Sequence, residues 1–259
     1  MKEKLQPYID LVRGNENYRR LWLAQLISNF GDWFGILAVY AIIQVYSGSE
    51  LLLGLIIVVK MMSLAFSSPI AGFITDRFNR RFLMILCDVG RGVIVLGFLL
   101  IESSSLLWLA YAITAVQMAF SAVFEPAKTS SIPNVTTSKE LVNANILSAA
   151  SWSIIFTTGM AIGGFATEYL GTDLVFILNA ISYAISGYLI YKADIPQQEL
   201  SEEEKEKQRN PVKGILEGFR FLKNNGRVLR PALAKGTFTM CIGGLIYMLI
   251  IVAEDVLMM

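Results

Sequence analysis

Four ionisable side chains, Asp32, Lys60, Asp88 and Arg91, stand inside runs of apolar residues that would ordinarily exclude them. An acid in an apolar run is the chemistry of a proton that is taken up and released, or of a charge paired across a helix interface. It is not the chemistry of covalent catalysis here. The 259 residues include no histidine, so His-based catalysis and His-ligated metals are excluded, and the two cysteines, Cys87 and Cys241, lie in apolar runs, which excludes a disulfide framework and disfavours a metal site. No cofactor and no enzymatic activity are expected. The net charge of +1 gives no reason to expect a nucleic-acid partner.

The elements that hold these groups follow from run length. Apolar residues make up 54% of the chain and gather in stretches of about 20, the length of a helix that crosses the ~30 Å hydrocarbon core of a bilayer. Spans are expected over 21–46, 51–75, 82–101, 106–125, 144–168, 173–192 and 232–253. The first is too long for a signal-peptide core and has no small-residue cleavage site after it, so it is read as retained. Basic residues test the count. Alternate connections carry twenty Lys and Arg on one side and none on the other, leaving only Lys60 and Arg91 within spans. The positive-inside rule then places the N-terminus in the cytoplasm of a multi-pass cell-membrane protein.

Depth and spacing select the site candidates. Asp32 lies eleven residues into the first span, about 16 Å deep at ~1.5 Å per residue, and Gln25, Asn29 and Asp32 form one polar stripe. Lys60, nine residues into the antiparallel second span, sits at similar depth, so Asp32 and Lys60 are expected to face one cavity and to pair. Tyr111, Thr114, Gln117, Ser121 and Glu125 line one face of the fourth span, and Ser148 and Trp152 stand on the fifth. Polar faces are costly against lipid, so the stripes on spans one, two, four and five imply a water-accessible interior, with spans three and six outside it. Asp88 and Arg91, at i and i+3, share a helix face. They either join the basic loop at Arg80 and Arg81 or neutralise each other locally.

That loop, Gly72-Phe-Ile-Thr-Asp76-Arg77-Phe-Asn79-Arg80-Arg81, links spans two and three. Gly72 is expected to admit close helix approach, Asp76 to accept hydrogen bonds from a neighbouring helix N-terminus, and the arginines to meet acids or lipid phosphate. Its pattern, G-x-x-x-D-R-x-x-R-R, resembles the signature loop of the major facilitator superfamily of secondary transporters. The resemblance implies that Gly72, Asp76, Arg77, Arg80 and Arg81, with Asp88 and Arg91, form a latch that stabilises one state of an alternating-access cycle. Asn79 stands where that family usually has glycine, and a left-handed turn is expected there. Ser28-Asn-Phe-Gly31-Asp32-Trp33 and Glu125-Pro126-Ala127-Lys-Thr-Ser-Ser-Ile-Pro133 resemble the macrolide-efflux and siderophore-efflux branch. Gly159-Met-Ala-Ile-Gly163-Gly164 is similar to an exporter motif, but Met160 replaces its proline, and a plain packing role for the glycines serves equally. Gln117 stands where many proton-coupled exporters carry arginine.

The expected organisation is a six-helix transmembrane bundle over 1–192, a cytoplasmic linker with an amphipathic helix over 193–230, and a seventh span over 231–259 that starts an incomplete second bundle. The linker opens with the charged stretch 197–210, and its helix begins at Asn210 and Pro211 with an apolar stripe of Val212, Ile215, Leu216, Phe219 and Leu222. The resemblance implies proton-coupled efflux of a small amphipathic substrate, drug-like or siderophore-like, and a full fold with a second six-helix half, so the chain is expected either to be truncated or split or to have a partner that supplies the missing C-terminal half. The rival expectation is a half-bundle that does not transport and acts as a scaffold or partner subunit.

Overall fold

The computed structural model describes Lys2–Pro196 and, further along, 218, 220–231, 233–234, 236–238 and 241, with side chains from Leu5 onward. The chain forms two compact units, Met1–Glu199 and Leu200–Met259. In the second unit the described residues are helical over 220–224 and 226–231. The expected linker helix start at Asn210 and most of the seventh span lie outside the described residues.

Among its described residues the first unit is α-helical, with two short 3-10 stretches at Leu96–Leu100 and Ser104–Leu106. Its helices are α1 (Lys2–Gly14), α2 (Glu16–Ser47), α3 (Glu50–Arg77), α4 (Arg80–Val95), α5 (Leu107–Val135), α6 (Ser138–Leu170) and α7 (Thr172–Lys192). Six segments among the described residues are long and apolar enough to cross a membrane, and they match the first six expected spans. The fold class is that of an all-α membrane protein. Consecutive spans run antiparallel, so the starts of α2, α4 and α6 and the ends of α3, α5 and α7 share one end of the bundle, called here the basic end.

Local chemistry sets the helix boundaries. The Asn15 side chain caps α2 by accepting from Tyr18 N, Thr137 and Glu140 form a capping box at α6, and α2 closes on Gly48 at φ 58, a left-handed conformation that glycine adopts without a Cβ clash. Asn79 is an N-cap at φ −58 whose side chain accepts from Phe82 N. The left-handed turn expected there is therefore replaced by the start of α4. The loop expected over 126–143 is mostly helix. α5 continues through Pro126 and Pro133 to Val135. Hydroxyls on Thr129, Ser130 and Ser131 donate to carbonyls one turn back, bonding that membrane helices use to accommodate proline.

Two apolar clusters make the core. One, including Phe34, Ile43, Val95, Phe98, Val175 and Phe176, fills the end opposite the basic loop. The other, including Leu11, Tyr18, Leu21, Met84, Phe124 and Ile190, fills the basic end. α2 packs chiefly on α6 and α7, and α3 on α5. The α2–α6 contact is close because a Cβ at Gly159 would lie 2.9 Å from Trp33 Cβ, and one at Gly163 would lie 2.5 Å from Phe34 O. Outward faces are apolar, with Val58, Phe66, Val93, Ile154 and Phe165 exposed, as lipid contact requires.

Candidate functional site

Between the two apolar clusters lies a polar layer. Ser28, Asn29, Asp88, Arg91, Thr114, Gln117, Asn179, Ser182 and Ser186 are all buried there. Asp32, at the middle of α2, stands at its edge with a quarter of its side chain exposed. A buried charge persists only when it is paired and hydrogen-bonded. Arg91 on α4 meets that demand twice. Its Nη2 donates to Asp88 Oδ1 at 2.5 Å, and its Nη1 lies 3.6 Å from Asp32 Oδ2. The guanidinium also sits between two rings, 4.4 Å from the centroid of Phe124 and 4.6 Å from that of Tyr183.

The hydrogen bonds extend the cluster across four helices. Gln117 Nε2 on α5 donates to Tyr183 Oη at 3.0 Å, and Tyr183 on α7 donates to Asp32 Oδ1. On the other side Ser186 Oγ donates to Asp88 Oδ2 at 2.6 Å. With both acids ionised the three charged groups carry a net negative charge, and a proton on Asp32 cancels it. Asp32 is the member that reaches a cavity of about 40 Å³, large enough for water or a head group, which Lys60, Thr114, Gln117 and Asn179 also line.

Several sequence expectations are corrected here. Asp32 and Lys60 share the cavity but are not within ion-pairing distance. Asp32 is held by Arg91 and Tyr183, and the Lys60 ammonium sits 5.2 Å from the centroid of the Trp33 ring. Equal depth did not settle which way each helix turns its side chain. Of the two alternatives for Asp88 and Arg91, the local pair is the one formed, and it extends to Asp32 on α2 and Ser186 on α7 rather than to Arg80 or Arg81. Spans three and six, expected outside the polar interior, supply its centre through Asp88, Arg91, Tyr183 and Ser186.

The basic loop also differs from expectation. Arg80 donates to Ser130 O at 2.9 Å and Arg81 to Tyr191 O, so both meet backbone carbonyls rather than acids. Arg20 donates to Lys192 O at 2.5 Å. Tyr191 and Lys192 hold two of the last four carbonyls of α7, which the helix leaves unpaired at its negative dipole end, so cations are favoured there. Arg77 lies over the Phe73 ring at 4.1 Å. A Cβ at Gly72 would meet nothing within 4 Å, so Gly72 makes no close helix approach among the described residues. Asp76 is exposed and has no hydrogen-bond or ion-pair partner among the described residues.

The remaining candidates separate. Glu125 pairs with Lys128 at 2.7 Å on the same helix. Asn29 is buried in the polar layer. Trp152 joins an aromatic cluster with Trp33 and Phe156, open to the outside. A separate apolar cleft of about 470 Å³ lies between α2 and α6, lined by Trp22, Leu26, Phe30 and Ile154, with Ser182 of α7 at its wall. Sequence reasoning missed Tyr183 and Ser186. Their signal was a small polar strip on span six, Asn179, Ser182, Tyr183 and Ser186, at three- and four-residue spacing.

The comparisons agree with this architecture. The chain is 29% identical over 249 residues to the uncharacterized MFS-type transporter YfiS of Bacillus subtilis, covering 90% of this chain and 54% of that protein. It is 25% identical over 231 residues to the putative bacilysin exporter BacE of Bacillus amyloliquefaciens, covering 89% and 57%. It is 27% identical over 186 residues to the uncharacterized MFS-type transporter YkuC of Bacillus subtilis, covering 71% and 43%. The chain thus spans about half the length of the curated relatives it matches. No solved structure matches. A family model described as Major Facilitator Superfamily matches residues 21–257, nearly the whole chain, and the protein therefore belongs to the Major Facilitator Superfamily.

Proposed function

We propose that this chain is the N-terminal bundle, with linker and first following span, of a proton-coupled exporter of small amphipathic molecules, drug-like or siderophore-like, and that Asp32 is the carboxylate that takes up and releases the proton. The observation that carries this reading is the position of Asp32. It is the cavity-facing end of a charge network that is otherwise buried. Arg91 and Tyr183 hold the anion, and a proton on Asp32 relieves the net negative charge of the Asp32–Arg91–Asp88 cluster.

The substrate sits between two bundles near the midplane in this architecture, and each state of the cycle exposes it to one side. The apolar cleft along α2 and α6 suits the body of an amphipathic molecule. The name of the BacE relatives supports the outward direction. Twenty basic residues on one side support a cytoplasmic N-terminus and 72–81 loop, in which Gly72, Asp76, Arg77, Arg80 and Arg81 act as the latch. Asp76 is free to meet a second bundle when the transporter closes.

The test is transport in proteoliposomes under an imposed proton gradient, with a panel of drug-like and siderophore-like compounds. Asp32→Asn is expected to abolish gradient-driven accumulation while leaving insertion and thermal stability close to wild type. Gradient-driven accumulation at the wild-type rate by that variant would overturn the assignment.

A further inference from the structure

Lys60 is the second midmembrane cation among the described residues, and unlike Arg91 it has no acid within ion-pairing distance. A charge at this depth is costly unless an anion meets it or it faces a cavity. Lys60 faces the cavity that Asp32 lines, yet the Asp32 carboxylate is already taken by Tyr183 and Arg91. The ammonium instead rests on Trp33, and Trp33 is the first of three interlocked rings. Phe156 meets it edge-on at 4.6 Å and Trp152 at 6.1 Å, and Trp152 stacks on Phe156 at 5.6 Å with an interplanar angle of 5°. Trp152 is 44% exposed, so this wall of rings runs from the ammonium to the open side of the bundle.

We propose that Lys60 and the Trp33–Trp152–Phe156 wall form an anion-head subsite, which takes the carboxylate of a molecule whose flat apolar body lies along the rings. The cavity at Lys60 is about 40 Å³, so a head group enters and the body stays on the wall. Aromatic walls by themselves favour cations. The ammonium beside Trp33 reverses that preference, because a cationic head would meet a like charge there. This rests on the transporter reading and narrows its substrate class to monoanions and zwitterions with an aromatic or flat apolar part.

The test compares three probes that share one ring and differ in charge: phenylacetate, phenylacetamide and phenethylamine. Binding is read by titration calorimetry on the purified full protein in nanodiscs. Phenylacetate is expected to bind at least about tenfold more tightly than the other two, as a charge-assisted contact allows. Lys60→Met should erase that advantage while phenylacetamide still binds, which shows that the wall is folded. Lys60→Arg should keep most of it. Equal affinities for the three probes in the wild type, or an undiminished phenylacetate advantage in Lys60→Met, would overturn the subsite. Equal affinities are also what an acid from a second bundle, closed on Lys60, would give. Loss of charge preference alongside intact gradient-driven transport counts against the subsite alone, and a clear charge preference in a protein that transports nothing counts against the transporter reading alone.

Discussion

Tyr183 donates its hydroxyl to Asp32 across 151 positions of sequence and accepts from Gln117 with the same oxygen. Replacing it by phenylalanine keeps the ring against the Arg91 guanidinium and removes only the hydroxyl, leaving Gln117 Nε2 and one Asp32 oxygen without their partner. Hydrogen bonds between membrane helices contribute about 0.6 kcal/mol on average and up to about 1.7 kcal/mol, so Tyr183→Phe should lower stability by that amount in a detergent unfolding assay. If the bond sets the loading of Asp32, a loss of about 1.4 kcal/mol at that step slows transport about tenfold. A variant with wild-type transport would show that the Tyr183 hydroxyl only supports packing.

Arg91 lies between two acids, and its removal leaves both Asp32 and Asp88 without their cation. Breaking a buried pair from one side typically costs about 3–5 kcal/mol, because the surviving charge stays buried. Arg91→Met should therefore express poorly or melt early. Asp88→Asn in the same chain removes the charge left most deeply buried, and it should restore a good part of the loss. Residues in contact within such a network show coupling of about 0.5–3 kcal/mol. The check is thermal unfolding of the two single variants and the double variant. Additive effects would mean that the three charges do not act as one cluster.

The α2–α6 seam makes a sharper structural prediction, since its neighbouring glycines differ. A Cβ at Gly163 would come within 2.5 Å of Phe34 O and 2.9 Å of Phe34 Cα, both backbone atoms that cannot rotate away. A Cβ at Gly164 would lie 3.5 Å from Leu37 Cδ1, an ordinary contact. Gly163→Ala should force the helices apart, at a cost of about 1–3 kcal/mol as for other overpacked sites, whereas Gly164→Ala should stay within about 0.5 kcal/mol of wild type. Equal melting temperatures for the two variants would contradict the seam. Met160 replaces the proline of the exporter motif, but the glycines still set this helix approach.

The spans were legible because run length and charge alternation are properties of the sequence itself, and Asp32 was legible because an acid inside an apolar run is conspicuous. The partners of Asp32 were not. Depth follows from counting residues, so Lys60 was placed level with Asp32, but the direction of each side chain depends on how helices rotate against one another. That rotation put Arg91 and Tyr183 beside the carboxylate and Lys60 on Trp33. Tyr183 also reads as an ordinary aromatic of span six until its hydroxyl is seen between Gln117 and Asp32. The expected fourth span stops at residue 125, short of the end of α5 at Val135, because the hydroxyls that support the helix around Pro126 and Pro133 act only once it has formed. The linker helix start at Asn210 and the bulk of the seventh span lie outside the described residues.

Asp76 and Arg81 lie in the same basic loop region but should fail in opposite ways. Arg81 caps the end of α7 through Tyr191 O and rests against the Tyr191 ring. Arg81→Gln should lower thermal stability by about 0.5–1 kcal/mol, the usual scale for charge at a helix end. Asp76 is exposed and touches no described partner, so Asp76→Asn should leave stability within about 0.5 kcal/mol of wild type. In the proposed latch, Asp76 acts when the basic end closes on a second bundle. Asp76→Asn should therefore slow gradient-driven transport in proteoliposomes while the melting temperature stays constant. If Asp76→Asn transports normally, the carboxylate belongs to the solvated loop and the latch rests on the arginines. If it melts early, Asp76 is already bound within this bundle and the separation between packing and cycling at this loop is wrong.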